Sequence, residues 1–190
     1  MSLGLLRRRS IVALLRRELV TEEDAATSAL MARVREARRR GFISRSEFLA
    51  MCRWKSPRAL RHYERNAAGR VREASRRALA TRSERRRMEH LLALDGVSVP
   101  VASAILTLLD PRRYGVLDIR AWQMLYAMRG VDANPAGRGF TMGQWLRYLE
   151  TLRAHARRLR ASARAVEYTL FLCHRKRQRG RLYDPPRKRR

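Results

Sequence analysis

Two residues carry the types and positions that chemistry would need: Asp118, placed where a helix should begin, and Lys55, a lysine in a chain that otherwise uses arginine up to its C-terminal stretch. Asp118 closes Val116-Leu117-Asp118 and precedes a run with Trp122, Leu125 and Met128 at helical spacing. At a helix N-terminus the dipole and the free N–H groups keep a carboxylate ionised. A fixed carboxylate can stabilise positive charge building on a reacting carbon, and can orient or deprotonate an attacking water. The same position also suits a plain N-cap, which aspartate often provides. Lys55 stands in Trp54-Lys55-Ser56-Pro57-Arg58, where Ser56-Pro57 marks a helix start. Its amine can hold a phosphate or act as a nucleophile through a Schiff base. Arg58 can fork onto phosphate. Trp54 and Tyr63 can stack on an extruded flat ring, with Asn66 beside them or capping the helix from Ala67 onward. The alternative, a core Trp54 with solvated cations, stays open. His62, His90, His155 and His174 show no metal-ligand spacing, and Cys52 and Cys173 form no cluster.

The element that would position Asp118 is a helical hairpin over Glu84–Leu108. A helix runs into Asp95-Gly96-Val97-Ser98-Val99, and a helix with Ala102, Ser103 and Ala104 follows. Gly96 permits a positive φ at low cost, and the small residues allow close packing. The turn then presents backbone N–H groups at the start of the second helix, a ready anion site. An ordinary core hairpin fits the same spacing.

Leu94-Asp95-Gly96-Val97-Ser98, a helix over 102–109 and Val116-Leu117-Asp118 together resemble the helix-hairpin-helix superfamily of DNA glycosylases. The resemblance covers about thirty residues. It implies that Asp118 is the catalytic aspartate and that the backbone of Gly96, Val97, Ser98 and Val99 holds a DNA phosphate. It allows a monovalent cation at the hairpin and calls for no other cofactor or metal. The second hairpin glycine is Ser98 here, which would strain or reshape the turn. Pro100 replaces the lysine nucleophile of bifunctional members, and the cluster-binding cysteines are absent. The resemblance therefore points to a monofunctional enzyme with Asp118 as the catalytic carboxylate; Lys55, on its own chemistry, is the second catalytic candidate. Lys55, Arg58 and Arg120 join the hairpin in binding DNA, and Trp54, Tyr63 and Asn66 line the base pocket.

Composition agrees with a polyanionic partner. The chain has 190 residues, 44 Lys+Arg against 17 Asp+Glu, and a net charge of +27. A biased genome explains arginine replacing lysine; it does not explain that imbalance. Double-stranded DNA is the first candidate, since each neutralised phosphate releases counterions. An anionic membrane surface is the rival. No run is long enough to span a bilayer. Two isolated cysteines suit a reducing compartment, so a monomer in the cytoplasm, associated with the nucleoid, is expected.

These features predict an all-α fold of two packed lobes with a basic cleft between them. Residues 1–173 form the helical domain and 174–190 a basic tail. Helix starts are expected at Ser10, Thr21, Ser44, Thr81, Asp118 and Thr141, with 130–139 as a loop. A non-catalytic hairpin protein that binds DNA, or an arginine-rich RNA-binding protein, would share most of these features.

Overall fold

The computed structural model describes residues 10–178, and within them every regular element is helical. The order is α1 (Ile11–Glu18), α2 (Ala25–Arg40), α3 (Arg45–Lys55), a 3-10 turn (Pro57–Ala59), α4 (Leu60–Tyr63), α5 (Ala68–Ala80), α6 (Glu84–Leu92), α7 (Val99–Leu109), α8 (Ile119–Ala127), α9 (Met142–Leu159) and α10 (Ala163–Arg177). No helix among the described residues is long and apolar enough to cross a membrane.

Local chemistry sets most of the boundaries. Ser44 with Glu47, and Thr141 with Gln144, form complete capping boxes at the starts of α3 and α9. Two expected starts move. Asp24, not Thr21, caps α2, because its carboxylate accepts both the backbone N–H and the hydroxyl of Thr27. Ser83, not Thr81, caps α6, and the Thr81 hydroxyl accepts the Ser83 N–H instead. Glu84 is thus free of a capping box. It accepts bonds from Arg113 at 2.9 Å, Arg153 at 2.8 Å and the Tyr114 hydroxyl at 2.8 Å. That carboxylate ties the first hairpin helix to α9.

The helices sort into two packed groups. In the first, α7 touches α2, α3 and α6, and α5 lies against α6. In the second, α10 gathers α1, α8 and α9. Contacts of α6 and α7 with α9 join them. One apolar core runs through both, from Leu15 through Phe48, Met88 and Ile105 to Trp122, Trp145 and Leu170. Helix α7 is its axis: residues 101–109 are all buried. Burying each large aliphatic there contributes roughly 1.5–3 kcal/mol before entropy is counted. The axis ends at Asp110, and the segment 111–117 then crosses over α10 before α8 starts. A domain boundary at 173 falls inside α10, where His174 is buried and its Nε2 sits 2.9 Å from Gln123 Oε1. The remainder of the expected basic tail, 179–190, lies outside the described residues.

Candidate active site

The hairpin forms between α6 and α7. Gly96 has φ +79°, and a Cβ there would lie 2.7 Å from His62 Cβ and 3.0 Å from the Tyr63 ring. Glycine is required twice over, by backbone sign and by contact. Ser98 has φ −92° and ψ 168°, an extended conformation open to any residue, so serine at the second glycine position neither strains nor reshapes the turn. The side chain of Ser98 makes no capping bond to α7, and Pro100 has no N–H. The first turn of α7 therefore keeps its remaining N–H groups without an intrahelical partner.

Asn66 and Tyr63 serve this turn rather than a pocket. Asn66 is fully buried; its Nδ2 donates to the Asp95 carbonyl at 3.0 Å and the Tyr63 carbonyl at 2.9 Å, and its Oδ1 accepts the Asp95 N–H at 2.9 Å. Tyr63 is buried edge-on to Phe48 and under Gly96. Neither lines a cavity beside Asp118, so their expected place in the base pocket is corrected. Burial had the same cause in both: each fills the underside of the hairpin. Arg70 adds a brace from α5, with Nη1 on Asp95 and Nη2 on the Ala93 carbonyl. Gly96→Ala should destabilise the protein by about 2 kcal/mol, seen as a melting point lower by roughly 4–8 °C. An unchanged melting point would show that the turn tolerates a side chain.

Asp118 caps α8. Its Oδ1 accepts the Arg120 N–H at 2.9 Å, and its Oδ2 accepts from Lys55 Nζ at 2.9 Å. Lys55 is the last residue of α3, 63 positions away, and the fold brings the two together. Burial works against the charged form of Asp118. The Lys55 ammonium, the Arg120 N–H and the Arg120 charge outweigh it, and the carboxyl stays below its ordinary value of 3.8. Asp118 is thus an anion at neutral pH.

The pair stands in a wall shared by two hollows. The outer groove, about 450 Å³, runs from Ser98 and Pro100 of the hairpin past Asp118 to the 137–139 loop and Phe140. The inner cavity, about 240 Å³, opens behind Asp118 and Lys55. Trp54 lines it, fixed by a bond from its Nε1 to the Thr27 hydroxyl at 3.1 Å. Tyr168 and Phe171 of α10 supply further flat wall, stacked at 6.2 Å. At roughly 30 Å³ per water the cavity equals about eight waters, the size of one heteroaromatic ring system rather than a drug-sized ligand.

Of the expected phosphate contacts, Arg58 is exposed on the 3-10 turn just after Lys55. Arg120 is half-buried, with its guanidinium 5.4 Å from the Phe171 ring and its Nε without a partner. Gly96 and Ser98 are exposed at the hairpin, Val97 is buried and Val99 half-buried.

Sequence reading missed the floor of the cavity. Arg164 and Glu167 of α10 line it, both buried. Arg164 donates to Glu23 through Nε at 2.6 Å and Nη2 at 3.0 Å, and through Nη1 to Glu167 Oε2. That same Oε2 accepts the Val116 N–H at 3.1 Å. A Cβ on Gly115 would lie 2.7 Å from Glu167 Cβ and 2.5 Å from Leu152, so glycine lets the strand of chain before Asp118 pass over α10. The available signal was a charged i,i+3 pair set among Val166, Leu170 and Phe171 on one helix.

Among the described residues no group of three or more His, Cys, Asp or Glu is placed to hold a metal ion. The chain matches no protein-family model, no curated protein and no solved structure.

Proposed function

We propose that this protein binds double-stranded DNA and removes a base from it by hydrolysis of the glycosidic bond. The observation that carries the reading is the placement of Asp118. An ionised carboxylate, ion-paired to Lys55, stands between a groove that starts at the hairpin and a cavity the size of one base. A strand lying in the groove would rest a phosphate on the free N–H groups of α7. The nucleotide beyond it would swing past Asp118 and stack its base between Trp54, Tyr168 and Phe171.

Bond breaking builds positive charge at C1′, which Asp118 stabilises while taking a proton from the attacking water. Lys55 holds the carboxylate in place and faces the phosphodiester side of the groove. The helix-hairpin-helix resemblance supports the same assignment. The net charge of +27 supports a polyanionic partner.

The test is abasic-site formation on duplexes carrying a panel of damaged, mismatched and bulky modified bases. We expect release of at least one base class, with affinity falling steeply as salt rises. Borohydride should trap no covalent adduct; a trapped adduct would replace water by Lys55 as the nucleophile. Binding without release from any duplex would leave a hairpin DNA-binding protein.

A further inference from the structure

On the floor of the inner cavity two carboxylates meet a single cation, and the surplus falls on one group. Lys55 answers Asp118. Arg164 answers Glu23, which takes two of its three nitrogens. Glu167 shares that same guanidinium through the third. Two carboxylates therefore divide one cation at a site largely shielded from solvent, Glu167 being 1% exposed and the Glu23 side chain 13%. Both donors to Glu167, Arg164 Nη1 and the Val116 N–H, fall on Oε2. Oε1 accepts nothing, and the residue lines the cavity. With one guanidinium shared between two carboxylates, a proton on Oε1 removes the surplus negative charge.

We propose that Glu167 is the general acid of the reaction, delivering a proton from Oε1 to the departing base. The inference rests on the hydrolase reading above and adds a second catalytic group to it. As the C1′–N bond breaks, its electron pair leaves with the base, and the Glu167 proton passes to a ring nitrogen or carbonyl oxygen of that base. The water oxygen bonds C1′ and its proton passes to Asp118. Water is thereby added across the bond, and the base leaves neutral. Asp118 then loses its proton to solvent and Glu167 regains one.

The electrostatics run the same way. Burial raises the Glu167 carboxyl above 4.5, outweighing Arg164 and the Val116 N–H, and the Asp118 charge adds to the rise. Tyr148 of α9 faces the same charges, and burial with Glu167 and Asp118 nearby keeps its phenol protonated far into the alkaline range. At the rim, Asp24, the N-cap of α2, and Arg175 of α10 are exposed and screened. Two carboxylates in one cavity with acidities pushed apart make a base and an acid.

The experiment has two arms on the full chain. Carboxyl-labelled glutamate is followed by NMR, with Glu167→Gln used for assignment. Glu167 should titrate above 4.5 and shift downward in Asp118→Asn. A midpoint at or below the ordinary value overturns the assignment, whatever the protein does to DNA.

The second arm measures single-turnover release of a neutral base against N7-methylguanine, whose ring is already cationic and leaves without an added proton. In the unaltered protein, release of the neutral base should fall as pH rises through the Glu167 midpoint, while release of the methylated base stays flat. Glu167→Gln should slow the neutral base about a hundredfold and the cationic base only severalfold. Equal loss for both, or release confined to cationic bases, overturns the proposal. The pH contrast between leaving groups needs no variant, so a poorly folded Glu167→Gln does not blunt the test. Release from no duplex removes the hydrolase reading and this one with it. A raised Glu167 midpoint in that case locates the failure in the reaction rather than in the residue.

Discussion

Asp118→Asn is expected to lower base release by about 10³-fold while leaving the fold intact. The size follows from what is lost. Asparagine keeps the hydrogen bond to the Arg120 N–H, since asparagine caps helices as well as aspartate. It loses the negative charge beside C1′ and the site that takes the water proton. A thousandfold is about 4 kcal/mol of barrier, within reach of one fixed charge in a partly dry site. Stability should change little, because both partners of the Lys55 pair retain some contact with water, at 16% and 22% exposure. The pH dependence carries a sign. Asp118 has a folded-state pKa below its ordinary 3.8, so its stabilising charge is present above that value and is lost as pH falls through the lower one. Release of N7-methylguanine, which needs no proton from Glu167, should therefore hold from neutral pH into the acid range and fail only below the ordinary 3.8 of Asp118. Rates are read by single-turnover quench and folding by circular dichroism. Full activity in Asp118→Asn would remove the carboxylate from the mechanism.

The parts of this site that were legible in the sequence obey local rules. Gly96 announces a positive φ because few other residues accept one. Asp118 announces a helix start because the dipole and free N–H groups favour an acid there. Ser44–Glu47 and Thr141–Gln144 are complete in four residues each. Where two caps competed within three residues, at Thr21 against Asp24 and Thr81 against Ser83, spacing alone did not choose. What failed was anything set by packing across the chain. Lys55 and Asp118 were each conspicuous, but their meeting needs α3, α7 and α8 in place at once. Tyr63 and Asn66 sit in a basic segment near a candidate site. The same residue types would serve as a pocket wall or as the underside of a turn, and only the fold assigns them to the turn. Arg164 and Glu167 were passed over for a related reason. An i,i+3 ion pair on a helix usually faces solvent, and burial is a property of what α10 packs against.

That burial makes Arg164→Met the substitution with the largest expected effect on stability. The guanidinium is 7% exposed, and it links Glu23, in the segment between α1 and α2, to Glu167 on α10. Methionine keeps most of the stem volume and removes all three donors. Glu167 would then keep one partner, the Val116 N–H. Removing one member of a buried ion pair costs about 3–5 kcal/mol, since the remaining charge stays desolvated. For a domain of this size that corresponds to a melting point lower by roughly 6–20 °C. Glu167 can escape part of the penalty by keeping its proton. Its folded-state value, already above 4.5, would move higher without the guanidinium. A group whose pKa is raised on folding contributes stability below its unfolded value and loses it as pH rises through the folded one. The deficit of Arg164→Met should therefore be smallest near pH 4 and grow toward neutrality, which thermal melts across that range would show. Adding Glu167→Gln should recover part of the loss at neutral pH, because a neutral amide replaces the stranded carboxylate. Two losses that simply add would mean that the carboxylate is not stranded by the first change. In that case the cavity floor is not the charge-unbalanced site on which the general-acid assignment stands.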